Sequence, residues 1–360
     1  MSRILAALSG GVDSAVAAAL LKEAGHDVTG VMMAIWSGEA SAAKEGLRHA
    51  CYGPGEDQDI KDAEAAAKVI GIPFKNFNLH KVYSENVLAY FSAESLAGRT
   101  PNPCVRCNHL VKFEALYHQA QQAGMAADGF GTGHYAQVDY DAKTGRYRLK
   151  KGADHGQDQS YFLSFLSQEQ LSRTLFPVGG LTKKQVRAKA ASLGLPVSDK
   201  PDSQEFIAGG YQTLLSGGEN PGHIVDTQGR MLGRHRGIAF YTIGQRRGLG
   251  IAAKDPLYVT EIHPEANTVV VGGRTEIYKS RFIVSNINWI SFSELAQPRE
   301  MSTRIRYRHE EAASLVTPLD TKRTEVAFTR PQMAITPGQV AAFYVDEQVA
   351  GGGIIEKVLE

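Results

Sequence analysis

The stretch Ser9-Gly10-Gly11-Val12-Asp13-Ser14 decides the fold of the first part of this chain. It follows the short apolar run of residues 2–8, which predicts a strand, and precedes residues 15–25, whose alanines and leucines predict a helix. A tight loop between a strand and a helix directs its backbone N–H groups and the positive end of the helix dipole at one point. The stretch therefore predicts an anion-binding loop.

The loop differs from the Walker phosphate-binding pattern, because no G-x-x-x-x-G-K-[ST] is present and no lysine follows the glycines. Gly10 and Gly11 allow a close approach to the backbone. Ser9 and Ser14 add hydroxyl donors, and Asp13 suits Mg²⁺ or a substrate group that must be oriented. We predict that the loop holds the pyrophosphate that leaves ATP. The alternative is an ordinary glycine-rich turn between a strand and a helix.

Strands and helices alternate from this loop to about residue 140, and such alternation is typical of an α/β fold with a doubly wound parallel sheet. Residues 139–151 predict a hairpin. From about residue 237, short β-type runs separated by Gly, Pro and Asn predict a small barrel or sandwich. We therefore expect an α/β domain over residues 1–165, a central domain over 166–275 and a C-terminal β-barrel over 276–360.

Composition limits the partners of the chain. A formal net charge of +1 across 360 residues, with no long charged run, excludes binding of nucleic acid by bulk electrostatics alone. Three cysteines and no leading cationic-then-apolar segment indicate a cytoplasmic protein whose thiols stay reduced. No apolar run approaches the ~20 residues that span a bilayer, so we expect no membrane partner.

Six further segments of the sequence narrow the choice of protein family that the chain resembles. They are GRTPNPCVRCN (98–108), GTGHYAQV (131–138), DQSYFL (158–163), KPDSQEF (200–206), YTIGQRRGLGI (241–251) and RPQMAITPGQ (330–339). In this order and spacing, together with SGGVDS, they resemble the bacterial tRNA-specific 2-thiouridylase family of PP-loop ATP pyrophosphatases. The resemblance implies a PP-loop doubly wound sheet domain, a small central domain that contacts tRNA, and a C-terminal β-barrel.

The resemblance also implies the reaction. Members of the family adenylate a uridine with ATP and Mg²⁺ and then replace its carbonyl oxygen with sulfur. It implies 2-thiolation of the wobble uridine in tRNAs for Lys, Glu and Gln, with sulfur supplied by a donor protein or by sulfide. Chemically, the carbonyl oxygen is a poor leaving group until it is joined to AMP.

Site residues follow from the resemblance motif by motif. The residues implied to line the ATP site are Ala7, Leu8, Ser9, Gly10, Gly11, Val12, Asp13, Ser14, Met33 and Gly133. The residues implied to contact tRNA are Asn102, Pro103, Cys104, Gln157, Asp158, Gln159, Arg306 and Tyr307. Family members usually carry lysine at the position of Gln157.

The cysteines depart from the better-known members of the family. Those members use a cysteine in the first motif as nucleophile and a second, within an S-Q-[DE]-I-C-F segment, as the persulfide carrier. Here that segment, residues 203–207, has no cysteine. We predict catalytic roles for Cys104, Cys107 and Asp13, and the remaining thiol is Cys51.

Three chemistries fit these three thiols. Cys51, Cys104 and Cys107 could ligate a 4Fe–4S cluster and leave one iron open to bind sulfide. A CxxC dithiol could instead pass a persulfide sulfur and resolve as a disulfide. A zinc site could combine the three thiols with His49. We predict the cluster, because the carrier cysteine is missing while Cys51 is present.

Arginines near the end of the chain are candidates for phosphate contact. Arg304, Arg306 and Arg308 alternate, which predicts that they share one face of a strand. Arg246 and Arg247 are further candidates. Two rival functions remain open: a small-molecule PP-loop ligase or amidotransferase, which needs no RNA-sized surface, and a non-catalytic tRNA-binding relative, which would not consume ATP.

Overall fold

A computed structural model of the chain describes residues 1–38, 50–198, 200–201, 205–208, 210–215 and 217–359. The α-helices in these residues are α1 (Val12–Glu23), α2 (Glu56–Ile70), α3 (His80–Tyr83), α4 (Ala89–Leu96), α5 (Pro103–Cys107), α6 (Leu116–Gln122), α7 (Gln168–Ser172) and α8 (Lys183–Ser192). Two π-helical segments, Ser84–Leu88 and Asn108–Ala115, continue α3 and α5. Short 3₁₀ segments are Ser160–Leu163, Tyr211–Leu214, Ile238–Phe240 and Arg274–Ile277. Among the described residues, no helix has the length and apolar character needed to cross a membrane.

The strands of the described residues form three larger sheets and one short pair. In chain order they are β1 (Arg3–Ala7), β2 (Asp27–Ala34), β3 (Ala50–Tyr52), β4 (Phe74–Asn78), β5 (Gly129–Gly131), β6 (Ala136–Asp141), β7 (Arg146–Lys151), β8 (Thr174–Leu175), β9 (Glu205–Ile207), β10 (Gly222–Asp226), β11 (Met231–His235), β12 (Tyr258–His263), β13 (Thr268–Gly272), β14 (Tyr278–Trp289), β15 (Arg299–Arg304), β16 (Ala312–Pro318), β17 (Arg323–Met333), β18 (Val340–Val345) and β19 (Gln348–Val358).

The first sheet has the order β4-β2-β1-β5-β8, and all its pairings are parallel. Its central strand β1 is buried over Ile4, Leu5 and Ala6. Strands with helices on both faces are buried on both sides, which explains their nearly continuous apolar runs. The predicted doubly wound parallel sheet is confirmed, and β1 leads directly into the loop that precedes α1.

This first core extends beyond residue 165. The edge strand β8 pairs with β5, and α8 packs against α1 through Val186 and Ala190 beside Val12 and Val16. The expected boundary at 165 therefore falls inside the first core. A two-residue strand has no alternation to detect, so sequence periodicity could not place β8 in the sheet.

The central sheet has the order β11-β10-β13-β12. Its core contains Ile224, Val259, Val269 and Val271, together with the 3₁₀ segment Ile238–Phe240. The run IAFYTIG, which resembles a strand in sequence, is therefore partly a 3₁₀ turn.

The C-terminal strands close into a barrel within residues 278–358. Their order is β14-β17-β16-β15-β18-β19, and β19 pairs back with β14. The predicted β-barrel is confirmed. The hairpin β6–β7, also as predicted, joins this barrel sheet through the pairing of β7 with β19 at Leu149 and Val349. The barrel thus takes up a hairpin from the first part of the chain.

The predicted strand face with three alternating arginines is wrong. β15 ends at Arg304, and residues 305–309 form a turn. The cause is local: the Arg304 guanidinium donates hydrogen bonds to the carbonyl oxygens of Tyr307 and His309 and so holds the turn closed. Arg306 and Arg308 therefore lie in a turn and not on a strand face.

Candidate active site

The loop between β1 and α1 is fixed by its own serines and glycines. The Ser14 hydroxyl donates to the carbonyl oxygen of Gly11 at 2.9 Å and accepts from the backbone N–H of Ser9 at 3.1 Å. Gly10 has φ +70°, and a Cβ there would lie 2.4 Å from the carbonyl oxygen of Asp59 on α2. Only glycine fits such a position, because an L side chain would meet both strain and backbone.

The loop leaves donors open for an anion. Gly11, the N-cap of α1, provides no side-chain cap. Within the described part of the chain, the backbone N–H groups of Gly11, Val12 and Asp13 have no hydrogen-bond acceptor. The first N–H groups of a helix carry partial positive charge and need a partner. This arrangement therefore fits the phosphates of ATP.

The other residues implied for ATP gather around the loop. Gly133, which follows β5, approaches so closely that a Cβ there would lie 2.5 Å from the backbone nitrogen of Ser14. Met33 lies partly buried on β2, the neighbour of β1. Ala7 ends β1, and Leu8 donates its N–H to Val31 on β2. The sequence-implied set is thus brought together at the carboxyl ends of adjacent parallel strands, where ligands of such sheets bind.

Asp13 has partners that sequence reasoning missed. Its carboxylate accepts hydrogen bonds from Lys183 Nζ at 2.7 and 2.8 Å and from the Tyr135 hydroxyl at 2.8 Å. Lys183 lies at the start of α8 and 170 positions along the chain from Asp13. No local pattern connects two residues so far apart, so only the fold shows the ion pair.

A second lysine is held beside the same loop. Lys200, in the KPDSQEF motif, places its Nζ 2.6 Å from Asp59 and 2.5 Å from Asp62 on α2. Its pKa is raised by the two carboxylates against the opposing effect of burial. Because Asp59 packs on Gly10, this ion pair holds Lys200 next to the loop.

Cys51 lies on β3, which pairs in parallel with β9. The pairing sets Ala50 opposite Glu205 and Tyr52 opposite Ile207, so Cys51 runs beside the segment in which better-known family members carry their second cysteine. Ser203 and Gln204 of that segment lie outside the described residues, as does His49. The zinc alternative that uses His49 therefore stays a prediction.

Cys104 and Cys107 lie on α5 and face the neighbourhood of Cys51. Burial, with the nearby thiols of Cys51 and Cys107, raises the pKa of Cys104 to about 12. Burial also raises the pKa of Cys107 to about 11, and that of Cys51 in the same direction. The Cys51 side chain is nevertheless exposed to solvent. The three thiols therefore lie close enough to influence one another electrostatically.

Lys112 acts electrostatically both on the three thiols and on a residue next to the nucleotide loop. It lies in the π-helical segment after α5, and its charge opposes the burial that raises the pKa of each of the three thiols. It also acts on His134. Burial, and then the charge of Lys112, lower the pKa of His134 well below the usual value. His134 is the neighbour of Gly133, and its Nδ1 lies 2.8 Å from the Thr132 hydroxyl. Lys112 is a second residue that sequence reasoning missed.

The thiols suit a soft metal or a sulfur carrier by their chemistry, since thiolates are the ligands of iron–sulfur clusters. Among the described residues, however, no three His, Cys, Asp or Glu side chains are already arranged around a metal position. The donor set fits a cluster, and the ligand geometry remains a prediction for Cys51, Cys104 and Cys107.

The loop implied to contact the target base is anchored at the barrel. The Asn102 side chain caps α5 by accepting from the backbone N–H of Val105 at 3.2 Å, and Pro103 occupies the first helical position. Asn102 also contacts Tyr161, whose hydroxyl donates to the carbonyl oxygen of Val340 at 2.9 Å. The base loop and the barrel therefore meet at one tyrosine.

Arg306 and Tyr307 lie against the same tyrosine. Arg306 donates to the carbonyl oxygen of Ile243 at 2.8 Å, while its Nε is buried with no hydrogen-bond partner among the described residues. Tyr307 packs on Phe162 with 4.4 Å between ring centroids. A buried cation with an unused donor is costly unless a ligand supplies an acceptor, so Arg306 fits contact with a phosphate.

The stretch Gln157 to Gln159 is divided between surface and interior. Asp158 is buried, and its carboxylate accepts from Gly152, Ser160 and Arg304. The Gln159 side chain accepts from the backbone N–H of Tyr135. The Gln157 side chain, which is partly exposed, has no hydrogen bond within the described residues. Of the three, Gln157 is thus the residue whose whole side-chain amide is unused in the described structure.

The loop that carries Arg246 and Arg247 stands next to the base loop. Its Thr242 hydroxyl lies 2.6 Å from the Thr100 hydroxyl. Both arginines are exposed on this loop. Guanidinium groups at such an edge can bind phosphates bidentately.

A parallel sheet whose first strand leads into an open SGGVDS loop, without a Walker lysine, defines the class of PP-loop ATP-using enzymes. Matches to known protein families agree with this class. Residues 2–208 match the model of the tRNA methyl transferase HUP domain, residues 215–273 that of the tRNA methyl transferase PRC-barrel domain, and residues 279–355 that of the aminomethyltransferase beta-barrel domain.

The chain belongs to the tRNA-specific 2-thiouridylase family. It is 43% identical over 355 residues to tRNA-specific 2-thiouridylase MnmA of Endomicrobium trichonymphae, covering 98% of both chains. It is 46% identical over 362 residues to the protein of the same name from Geotalea uraniireducens, covering 98% of this chain and 95% of that one. A solved 4-thiouridine synthetase–RNA complex with bound ATP is 19% identical, with a TM-score of 0.36 over 56% of this chain and 43% of the other.

Proposed function

We propose that this protein is an ATP-dependent tRNA-uridine 2-sulfurtransferase. The observation that carries the proposal is that Gly133 packs on the loop with the open N–H groups, while the charge of Lys112 acts both on the adjacent His134 and on the three thiols. A site for ATP and a site for sulfur are thus neighbours in the first part of the chain, with Lys112 near both His134 and the three thiols. Membership in the 2-thiouridylase family supports the same reaction.

The residues act in two steps. In the first, the uracil O2 bonds to the α-phosphorus of ATP and pyrophosphate leaves with the electrons of the broken P–O bond, while the uracil N3 proton passes to solvent. The loop N–H groups bind the phosphates, and Asp13 suits the Mg²⁺ that accompanies ATP. In the second, hydrosulfide bonds to C2, the C2–O bond breaks, AMP departs with its electron pair, and the hydrosulfide proton restores N3–H. The reaction proceeds because AMP is a far better leaving group than oxide.

The finer substrate is the wobble uridine of tRNAs for Lys, Glu and Gln. Asn102 and Pro103 begin α5 directly before Cys104, and Arg306, which has an unused Nε donor, acts on Tyr161, the hydrogen-bond partner of Asn102. A single base turned out of its anticodon stack could enter between these elements, because single-stranded loops expose their bases for such contacts.

The sulfur chemistry is assigned to a 4Fe–4S cluster held by Cys51, Cys104 and Cys107. When bound, such a cluster with one open iron presents sulfide for transfer. Burial disfavours three separate thiolates, and a bound metal reverses that effect because coordinated thiols are deprotonated outright. The CxxC dithiol, which needs no metal, is the second candidate. Both use Cys104 and Cys107.

One experiment tests the reaction. Protein purified without oxygen is incubated with sulfide, α-labelled ATP and a tRNA transcript with U34 or C34 for Lys. We expect labelled AMP, pyrophosphate and 2-thiouridine only with U34, and no product from Asp13→Ala. Formation of ADP and orthophosphate, or consumption of ATP without tRNA, would contradict the proposed reaction.

The metal is tested on the same preparation by iron and sulfide analysis. A cluster with three protein ligands predicts about four irons per chain and a brown protein. Cys51→Ser should lose both iron and thiolation. A colourless wild-type enzyme that thiolates at full rate would assign sulfur transfer to the dithiol instead.

A further inference from the structure

We propose that Lys183 is the pyrophosphate-binding lysine of this enzyme, supplied by α8 to a loop that has no lysine of its own. The inference deepens the proposed function, since it rests on ATP binding at the loop. It adds a residue that binds the leaving group, and it is carried by the position of the Lys183 ammonium.

The ammonium lies next to the open donors. Its Nζ is 2.7 and 2.8 Å from the two carboxylate oxygens of Asp13, the second residue of α1. The backbone N–H groups of Gly11 and Val12, which lack acceptors in the described structure, belong to the same helix start. An anion bound by those N–H groups would therefore come within reach of Lys183.

The position of Lys183 is built into the fold. Thr182 caps α8 in a reciprocal capping box with Gln185, and the backbone N–H of Lys183 donates to Asp154 at 2.9 Å. The Lys183 side chain is 15% exposed. A lysine fixed in this way loses little side-chain entropy when it binds a ligand, in contrast to a mobile surface lysine.

The chemistry requires such a cation. As the uracil oxygen bonds to the α-phosphorus, the electron pair of the breaking P–O bond moves onto the departing pyrophosphate. Lys183 donates hydrogen bonds to that growing charge and transfers no proton. In the absence of ATP the carboxylate of Asp13 satisfies the ammonium, and phosphate oxygens can take over as acceptors without movement of α8.

The test compares nucleotide affinities, since AMP lacks the phosphates that Lys183 would bind. The full chain and its Lys183→Ala, Lys183→Met and Lys183→Arg variants are titrated calorimetrically with ATP, pyrophosphate and AMP. Lys184→Ala is the matched control, because Lys184 is the adjacent lysine and is exposed. Lys183→Met retains most of the apolar stem and serves if the alanine variant folds poorly.

We expect Lys183→Ala and Lys183→Met to bind ATP and pyrophosphate about 10- to 100-fold more weakly, the range for a lost charge-assisted hydrogen bond. AMP affinity should change by less than about 2-fold, Lys183→Arg should recover part of the loss, and Lys184→Ala should bind all three ligands normally. Equal losses for ATP and AMP would show that Lys183 only anchors α8, and unchanged ATP affinity would exclude any role in binding. Either result overturns the proposal. The titrations need neither tRNA nor sulfur, so a failure of thiolation would leave this test intact.

Discussion

The two ends of the candidate site are built in opposite ways. At the nucleotide end, defined by Ser9–Ser14 with Lys183, charged side chains already meet partners at hydrogen-bond distance. At the sulfur end, defined by Cys51, Cys104 and Cys107, three thiols are desolvated, and their pKa values are raised. The difference teaches that the first end is complete apart from its substrate. The second requires added positive charge before its thiols can act as thiolates.

The sharpest way to separate the two ends is to remove a thiol. We expect Cys107→Ser to lower the thiolation rate at least about 1,000-fold, as removal of an essential catalytic group does. ATP affinity should be unchanged, because Cys107 lies on α5 and not in the loop. Thiolation is measured by mass spectrometry of digested tRNA, and ATP binding by calorimetry. If ATP affinity fell in parallel, the two ends would be one cooperative unit.

One added methyl group should disrupt ATP binding at the nucleotide end. A Cβ at position 133 would lie 2.5 Å from the backbone nitrogen of Ser14, and backbone cannot move aside as a side chain can. We expect Gly133→Ala to weaken ATP binding by about 1–3 kcal/mol, the usual range for overpacking. Gly180→Ala is the matched control, because a Cβ at Gly180 meets nothing within 4 Å. Normal ATP affinity in Gly133→Ala would show that the loop has room to shift.

A variant of Arg306 tests whether bound tRNA supplies a missing partner near the sulfur end. Arg306→Gln should reduce tRNA affinity and lower the slope of log affinity against log salt by about 0.9, the value for one lost phosphate contact. Arg281→Gln is the control, since its guanidinium is bound to Glu325 at 2.8 Å. Both variants are measured by filter binding at several salt concentrations. Equal slopes for the two variants would assign the phosphate contact to another residue.

The smallest expected effect concerns His134, which lies between the two ends. Burial, and then the charge of Lys112, lower its pKa well below the usual value. Below pH ~6.5 the unfolded chain therefore binds a proton that the folded chain does not, and stability falls as the pH decreases. His134→Gln should remove up to about 1.4 kcal/mol per pH unit from that slope between pH 6.5 and 5. Urea unfolding across this range measures it, and an unchanged slope would mean that His134 is protonated in the folded protein.

The parts of the fold that sequence could predict are those with regular periodicity. The apolar run before Ser9 and the helical composition after Ser14 gave β1, the loop and α1, because local pattern and tertiary burial agree there. The run around Arg306 alternates like a strand, yet hydrogen bonds from Arg304 to its own turn carbonyls make it a turn. Local side-chain bonds of this kind leave no periodic signal.

The candidate site divides in the same way. Contiguous motifs supplied the ATP-loop residues and the CxxC segment. Lys183 and Lys112 were missed, because each gains its meaning from a neighbour brought close only by folding. The proximity of Cys51 to the CxxC segment likewise arises only when the chain folds. The sequence shows that the chain has three cysteines, but only the fold shows that they lie near one another.

The hairpin β6–β7 has a consequence for how this protein is made. Its strand β7 pairs with β19, although Lys151 and Gln348 are separated by roughly 200 residues. On a ribosome that adds about 5–20 residues per second, the hairpin waits some 10–40 s for its partner strand. During that interval β7 is an unpaired edge that other nascent chains can meet. A premature stop codon near the end of the message would thus damage the start of the protein, because the final strand completes a sheet begun in its first half.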